Sequence, residues 1–339
     1  MTANRRVFLS RSAIAVGVAL GASPVNLLAR APRAAGTFAT GGADQEVLAF
    51  AATYGRDPFF IGGGVLARAN GIVSAPISLV VRTDDVAALS RSLDALPFKS
   101  VYASENTLSF EAGGAVYRLE NLSSEEYGQR LGQVQARGGT LFAHDAVRYP
   151  LAQRQVQDPL GSMTGGESQL RRTAAEISLT ARVGQMLRGL IEAGRYALVP
   201  DAEFDAFRRR TLAESPGTAE ETAVVASLLI GAVAPLSAGG QASRLAELAT
   251  SPLASASFGR HSARGGAQTM ARYQQLRPVG NRLGVSAGAL WLAALLGPSW
   301  PQSGVRPQAT TADYLSELQT QAALTEARQL FKSGPSSSK

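Results

Sequence analysis

The chain has no cysteine and only two histidines among its 339 residues. Without cysteine, the protein cannot form disulfides, thiolate metal sites or thiol nucleophiles. Two histidines are too few for a histidine-rich metal centre, and they leave little material for a Ser-His-Asp triad. Cysteine hydrolases and thiolate zinc proteins are therefore excluded, and so is any metal chemistry that needs several imidazoles.

An export signal is predicted at the N-terminus, over residues 1–35. Arg5 and Arg6 are followed, after one residue, by a Phe-Leu pair, which is the pattern that the twin-arginine translocase recognises. The apolar run at residues 13–22 is far shorter than the roughly 20 residues that a membrane-spanning helix needs. We therefore expect a periplasmic or otherwise exported protein with no transmembrane domain in its mature form. A disordered basic leader or an uncleaved anchor is the alternative.

Most of the excess positive charge belongs to that predicted signal. The whole chain has 33 basic and 26 acidic side chains, a net charge of +7. Residues 1–31 contain four arginines and no acidic residue, so the remainder carries a net charge of +3. A basic bias this weak does not by itself indicate a nucleic-acid-binding protein.

The remaining chain is predicted to be α+β, a small mixed sheet with helices over residues 44–165 followed by an all-α domain. Short apolar or alternating segments separated by turn residues indicate the strands, and longer periodic segments indicate the helices. The predicted strands are 77–81, 100–103, 107–111 and 115–119, with turns at 105–106 and 113–114, and the predicted helices include 83–93 and 124–135.

Residues 166–332 are predicted to form the helical domain. Apolar residues recur there at helical spacing, first at Leu179, Val183, Met186, Leu187, Leu190 and Ile191. The strongly apolar segments 222–233 and 286–296 are each too short to cross a bilayer comfortably, so we expect buried core helices. The tail at residues 333–339 has no side chain that could be buried and is expected to be disordered.

Four segments, taken in order, carry a resemblance to a known family. A predicted strand enters the glycine run Gly62-Gly63-Gly64, and a second predicted strand follows at 76–81. Residues 141–149 have the sequence Leu-Phe-Ala-His-Asp-Ala-Val-Arg-Tyr, and residues 158–162 have the sequence Asp-Pro-Leu-Gly-Ser. A later helix contains the segment 185–188, Gln-Met-Leu-Arg. In order and spacing, these segments resemble the head and neck of the class II poly(A) polymerase and CCA-adding tRNA nucleotidyltransferase family.

The resemblance implies a nucleotidyltransferase-like head, but this chain departs from the family at the metal-binding positions. The two aspartates expected on the second strand are replaced by Pro76 and Ser78, and Arg118 stands where a further acid is common. Nucleotidyl transfer uses two metal ions held by carboxylates, and Mg²⁺ requires hard oxygen ligands. We therefore predict no catalytic residue, no metal site and no cofactor, with Mg²⁺ expected only if the chain is active after all.

Other positions that match the family remain candidates for ligand binding. They are the glycines Gly62, Gly63 and Gly64, together with Asp145, Asp158 and Arg188. For Asp145, a buried hydrogen-bonding role is favoured over catalysis. The arginine and aspartate that the family has after its glycine loop are replaced by Leu66 and Ala67.

Several other polar residues could serve the chemistry, but each has a simpler interpretation. Asp84 and Asp85 follow the second strand and are expected to cap a helix, whereas Glu111 and Glu120 are expected on a solvated strand face. His144 is interpreted as an ordinary packed or surface histidine. The arginines at 171–172 and 208–210 are expected at solvated helix ends, with a phosphate-contacting patch as the minority interpretation.

Three hypotheses for function follow. The first is an exported, catalytically inactive nucleotidyltransferase-fold protein that acts by binding a nucleotide, a nucleic acid or an envelope protein, after meeting the twin-arginine translocase during export. The second is an active RNA or tRNA nucleotidyltransferase, CCA-adding or poly(A) polymerase-like. The third, independent of the resemblance, is an envelope scaffold protein whose helical half docks with a membrane partner.

Overall fold

The computed structural model describes residues 38, 43–83, 98–103, 106–135, 140–164, 167–175, 178–262, 266–297, 307–308 and 314–333. The predicted signal, with Arg5 and Arg6, lies outside these residues. So do Asp84, Asp85 and most of the helix predicted at 83–93. Of the tail predicted to be disordered, only Ser333 is described, as the last residue of a helix.

The first part of the chain folds as the predicted mixture of strands and helices, and the predicted helix 124–135 is confirmed. Its elements are α1 (Asp44–Tyr54), β1 (Arg56–Ile61), α2 (Gly63–Ala69), β2 (Ile77–Arg82), β3 (Lys99–Ala103), β4 (Thr107–Ala112), β5 (Ala115–Leu122), α3 (Ser124–Gln135), a 3-10 turn (Ala143–Ala146), β6 (Arg148–Pro150), β7 (Met163–Thr164) and β8 (Glu167–Leu170).

Six of these strands form one mixed sheet in the order β3-β4-β5-β2-β1-β6. Strands β2 and β5 pair in parallel, and all the other neighbours in this sheet are antiparallel. The predicted hairpin turn between β4 and β5 is confirmed, with Gly113 at φ 56° and Gly114 at φ 78°. A tight hairpin turn with two positive φ values favours glycine at both positions.

The two faces of the sheet differ because side chains alternate along each strand. One face carries Ile77, Leu79 and Tyr117, which are buried in the main hydrophobic core. The opposite face carries Ser78 and Arg118, which are only half-buried. This second face is called the outer face below, and it contains the positions where the resemblance places the metal ligands.

The second part of the chain is helical, as predicted. Its elements are α4 (Leu179–Tyr196), β9 (Val199–Pro200), α5 (Ala202–Ala213), α6 (Ala219–Ala238), α7 (Ala242–Thr250), α8 (Pro252–Ser262), α9 (Gly266–Leu283), α10 (Ala287–Leu296) and α11 (Tyr314–Ser333). Hydroxyl or carboxylate side chains cap four of these helices by accepting a hydrogen bond from a backbone N–H in the first turn. The capping residues are Ser178, Asp201, Thr218 and Ser286.

The apolar helices α6 and α10 lie in the core of the helical part. Among the described helices, α6 alone is long and apolar enough to cross a membrane by length and composition, but 61% of its apolar window is buried inside the protein. The six residues predicted on one face of α4 are all buried as well. They share a continuous hydrophobic cluster with the sheet, so the head and the helical part have one core.

Candidate functional site

The outer face of the sheet brings Ser78 and Arg118 together. The two residues are direct partners in the parallel pairing of β2 with β5, and Ile61 on β1 is the partner of Ser78 on the other side. Pro76 lies just before β2, two residues before Ser78, so an aspartate pair at 76 and 78 would have shared this face with residue 118. A proline ring, a hydroxyl and a guanidinium stand at these three positions instead.

The charge on this face is positive rather than negative. Arg118 Nη2 lies 3.3 Å from Glu120 Oε1, and Arg130 Nη2 from helix α3 lies 3.8 Å from Glu120 Oε2. The Glu120 side chain is only 12% exposed, so it is not the solvated strand residue expected from the sequence. Because two guanidinium groups already neutralise this one carboxylate, a divalent cation would meet a net positive charge here.

The other acidic candidates do not complete a metal site among the described residues. Glu111 is exposed on β4, as its pattern predicted, and its partner on β5 is Val116. The outer face is also partly covered beside Ser78, since Phe59, Ile61 and Val80 form a small apolar cluster there. Tyr127 of α3 packs edge-on against the Phe59 ring at 5.6 Å.

The glycine run between β1 and α2 is explained by packing and backbone geometry. Gly62 has φ 84°, which favours glycine, and a side chain there would meet open space. A Cβ on Gly63 would collide with the ring of Tyr196, the last residue of α4. A Cβ on Gly64 would lie 2.5 Å from the Pro76 carbonyl oxygen. Two of the three glycines therefore permit close approach between elements of the protein.

Asp145 and Arg188 form part of a second cluster, where the head meets helix α4. Arg188 Nη2 donates to Asp145 Oδ1 at 2.5 Å, and Arg188 Nε donates to Glu192 Oε1 at 2.9 Å. Glu192 Oε2 lies 2.9 Å from His144 Nε2. His144 is fully buried, so it is a paired interior residue and not a surface one. Asp145 Oδ2 also accepts the backbone N–H of Phe142.

The electrostatics of this cluster keep its charges in place. Burial alone would raise the pKa of the Glu192 carboxyl, but the nearby Arg188 charge and the hydrogen bond from His144 outweigh it and lower that pKa to about 2. The two carboxylates raise the pKa of the Arg188 guanidinium although burial opposes this. Candidate metal-ligand atoms of His144, Asp145 and Glu192 lie within 4.8 Å of one another. Arg188 already occupies both carboxylates, which disfavours a metal ion there.

Asp158 lies apart from both groups in the contacts that the structure describes. Its Oδ2 atom accepts the backbone N–H of Met163 at 2.8 Å, and its carbonyl accepts the N–H of Gly161. Gly161 has φ 67°. These contacts close the loop that precedes β7, so Asp158 shapes a turn.

Two of the arginines expected at solvated helix ends pack against other side chains instead, with Arg172 half-buried and Arg208 buried. The Arg172 guanidinium lies 3.6 Å above the Phe207 ring, and its Nε donates to Gln185. Arg208 is buried and pairs with Asp205 at 3.2 Å and with Glu247. The sequence pattern missed this because a long arginine stem can pack against apolar groups in ways that charge alone does not indicate.

Sequence reasoning also passed over two features. Asp44, Arg68 and Tyr117 form a fully buried cluster under the sheet, with Arg68 Nη2 3.1 Å from Asp44 Oδ1 and the Tyr117 hydroxyl donating to the same oxygen. In the sequence, the charge of Arg68 inside the apolar run of α2 indicated this buried cluster.

The second feature is the segment 284–288, which matches the pattern Gly-x-Ser-x-Gly. It follows a helix rather than a strand, and Ser286 caps α10 by accepting the N–H of Ala289.

No protein-family model matches the chain, and no curated protein matches its sequence. Solved structures do match. The match to a CCA-adding enzyme with ATP covers 86% of this chain and 82% of that enzyme's chain, with TM-score 0.49 and 14% identity. The match to an apo form of a CCA-adding enzyme covers 86% of this chain and 81% of that one, with TM-score 0.48 and 15% identity. The match to a tRNA nucleotidyltransferase complexed with a primer tRNA and an incoming ATP analogue covers 81% of this chain and 79% of that one, with TM-score 0.47 and 13% identity. The residues of this chain decide its chemistry.

Proposed function

We propose that the protein is an exported, catalytically inactive protein of nucleotidyltransferase-like fold that acts by binding. The pairing of Ser78 with Arg118 at the centre of the sheet is the observation that carries this proposal. Metal-dependent nucleotidyl transfer needs carboxylates that converge on two cations. The described part of the outer face offers one carboxylate near this pair, Glu120, and two arginines hold it.

The buried cluster around Arg188 supports a binding role over a catalytic one. Its carboxylates are occupied by a guanidinium and an imidazole, so no free general base is present among these four residues. The expected export supports the same conclusion, because nucleoside triphosphates are scarce outside the cytoplasm. Nucleotide, nucleic acid and envelope protein remain the three ligand classes that the proposal covers.

The direct test of inactivity is incorporation of labelled ATP and CTP into tRNA transcripts with Mg²⁺ or Mn²⁺. We expect no incorporation above a protein-free control. Glu120→Gln serves as the informative variant, because Glu120 is the outer-face carboxylate closest to the Ser78–Arg118 pair. Incorporation by the unaltered chain that disappears in Glu120→Gln would establish the second hypothesis, an active nucleotidyltransferase, in place of this one.

The test of export is separate. Cells expressing the full chain are fractionated, and the processed form is sought outside the cytoplasm. Replacing Arg5 and Arg6 together by lysine should retain the protein inside, since the translocase requires the arginine pair. Equal distribution of the unaltered and doubly substituted chains would overturn the export part of the proposal and leave the catalytic part untouched.

A further inference from the structure

Two arginines on the outer face of the sheet have hydrogen-bond donors that the described residues do not use. Arg118 of β5 and Arg130 of α3 approach the two carboxylate oxygens of Glu120, with Nη2–Oε distances of 3.3 Å and 3.8 Å. Among the described residues, neither guanidinium donates a hydrogen bond, and Arg130 Nε is buried without a partner. Each guanidinium carries five N–H donors, so both side chains can bind a further acceptor.

These two arginines belong to one accessible surface. Arg118 and Glu120 lie two residues apart on β5, so their side chains project from the same side of the sheet. Ser78 is the direct pairing partner of Arg118 on β2, and its side chain therefore lies on that side as well. The side chains of Arg118 and Arg130 are 31% and 37% exposed. A ligand from solvent can thus reach both guanidinium groups, with the Ser78 hydroxyl beside Arg118.

The charge of this surface favours an anion. The two guanidinium groups and the Glu120 carboxylate, two positive charges and one negative charge, give a net charge of +1. Further along the outer face, Arg82 lies 2.7 Å from Asp57, and Glu111 is opposite Lys99 in the pairing of β4 with β3. The guanidinium groups around Glu120 therefore carry an unbalanced positive charge, which attracts an anion from solvent.

We propose that Arg118 and Arg130 bind the phosphate of a small phosphate monoester, and that this binding needs no divalent cation. The planar fork of arginine matches phosphate oxygens, which accept its N–H groups in pairs. A monoester presents three acceptor oxygens, enough for both guanidinium groups and the Ser78 hydroxyl, whereas a carboxylate presents only two. The inference rests on the proposed binding function, and of its three ligand classes a nucleotide with a single phosphate fits this site.

A nucleic-acid strand fits this surface less well. Such a strand needs a track of cations along its successive phosphates. The sheet register continues from Ser78 to Ile61 and then to Arg148. However, Ile61 is buried in the small apolar cluster, and Arg148 Nε donates to Gln157. The unused donors around Glu120 therefore suit one phosphate rather than a chain of them.

The test is isothermal titration calorimetry of the full chain with AMP and CMP in EDTA, repeated in Mg²⁺. We expect binding in EDTA and no gain of affinity in Mg²⁺. Because hydrogen bonds to charged groups are strong, Arg118→Gln and Arg130→Gln should each weaken binding roughly 10- to 100-fold. Arg82→Gln is the matched control, since Arg82 lies on the same face but is paired with Asp57. Its effect should stay below about twofold, because solvent and salt screen its charge.

Glu120→Gln should have the opposite effect. It removes the carboxylate that competes with the ligand for both guanidinium groups, so it should strengthen binding in EDTA about fivefold. A gain of affinity also shows that the variant is folded. If Glu120 instead held a metal ion for nucleotidyl transfer, the same substitution would weaken nucleotide binding, and only in Mg²⁺.

Titrations with inorganic phosphate, glycerol phosphate and an RNA oligonucleotide identify the source of the phosphate. Tighter binding of AMP or CMP than of the two smaller phosphates assigns the site to a nucleotide, and equal binding assigns it to the phosphate group itself. Preferred binding of the oligonucleotide that is lost in Arg118→Gln would overturn the monoester proposal in favour of nucleic acid.

Three other results would also overturn the proposal. They are the absence of monoester binding at millimolar concentration, a requirement for Mg²⁺, and an equal loss of affinity in Arg82→Gln and Arg118→Gln. The incorporation assay is independent of these titrations. Nucleotide incorporation would refute the proposed inactivity alone, whereas absent binding in EDTA would refute this phosphate site alone.

Discussion

Replacing Arg188 by methionine should destabilise the protein far more than the same replacement of Arg182 on the same helix. Arg188 joins two carboxylates whose side chains are only 17% and 10% exposed, those of Asp145 and Glu192. Removing one partner of a buried ion pair costs about 3–5 kcal/mol, because the remaining charge stays buried without compensation. Since these side chains keep some exposure, we expect a loss near the lower end, about 3 kcal/mol.

The control substitution removes a pair of the same chemistry in a more solvated place. Arg182 and Arg188 are equally exposed, at 25% and 26%, but the Glu214 carboxylate that pairs with Arg182 is 38% exposed. Exposed pairs contribute about 0.2–1 kcal/mol, so Arg182→Met should cost about 1 kcal/mol or less. The assay is urea unfolding of both variants at neutral pH, with helix content and tryptophan fluorescence followed together so that a two-state fit is justified.

A third variant identifies the cause of the loss. Arg188→Met combined with Glu192→Gln removes one of the uncompensated charges, so it should be more stable than Arg188→Met alone. If Arg188→Met and Arg182→Met differ by less than about 0.5 kcal/mol, or if the added Glu192→Gln brings no recovery, the buried-charge reasoning is refuted.

Three further outcomes are expected. Gly64→Ala should cost about 1–3 kcal/mol in urea unfolding, because its Cβ would lie 2.5 Å from the rigid Pro76 carbonyl. Arg68→Met should cost about 3–5 kcal/mol by leaving the buried Asp44 carboxyl group without its guanidinium partner, and adding Asp44→Asn should recover part of it; no recovery would contradict the assignment. Because the folded-state pKa of Glu192 is lowered from 4.5 to about 2, its contribution to stability should be complete above about pH 4.5 and be lost as the pH falls toward 2. In Glu192→Gln, the unfolding free energy should therefore fall less steeply than in the unaltered chain as the pH is lowered through this window.

Much of the sheet could be predicted because its signals are local. Strand β5 alternates buried and half-buried residues along its whole length, which is the two-residue period of a strand with one covered face. Gly113 and Gly114 mark its hairpin, and Glu126 returns to the backbone N–H of Ser123 at the start of α3. Strands β6 to β9 were not predicted. They have two to four residues each, and their pairing partners lie far along the chain or have no periodic pattern.

The residues of the candidate site that lie on paired strands could be predicted from the sequence. The charged side chains that are buried could not. Ser78 and Arg118 were identified by comparison of motifs, and the parallel pairing of their strands makes them neighbours. The pairing of Glu120 with two arginines and the burial of His144 could not be derived. Both depend on side chains that come from different elements, and charge in a sequence favours the interpretation of a solvated residue.

The contact between the glycine run and the end of α4 has a practical consequence. The Tyr196 ring fills the space where a side chain at position 63 would lie, and Gly189 in the same helix packs against Phe142 from the head and Phe204 from α5. In a fragment containing only residues 166–332, the apolar side chains that pack against the head would therefore be exposed to solvent. In pull-down experiments, such a fragment would capture proteins nonspecifically through this newly exposed apolar surface. Partners of this protein therefore have to be mapped with point substitutions in the intact chain.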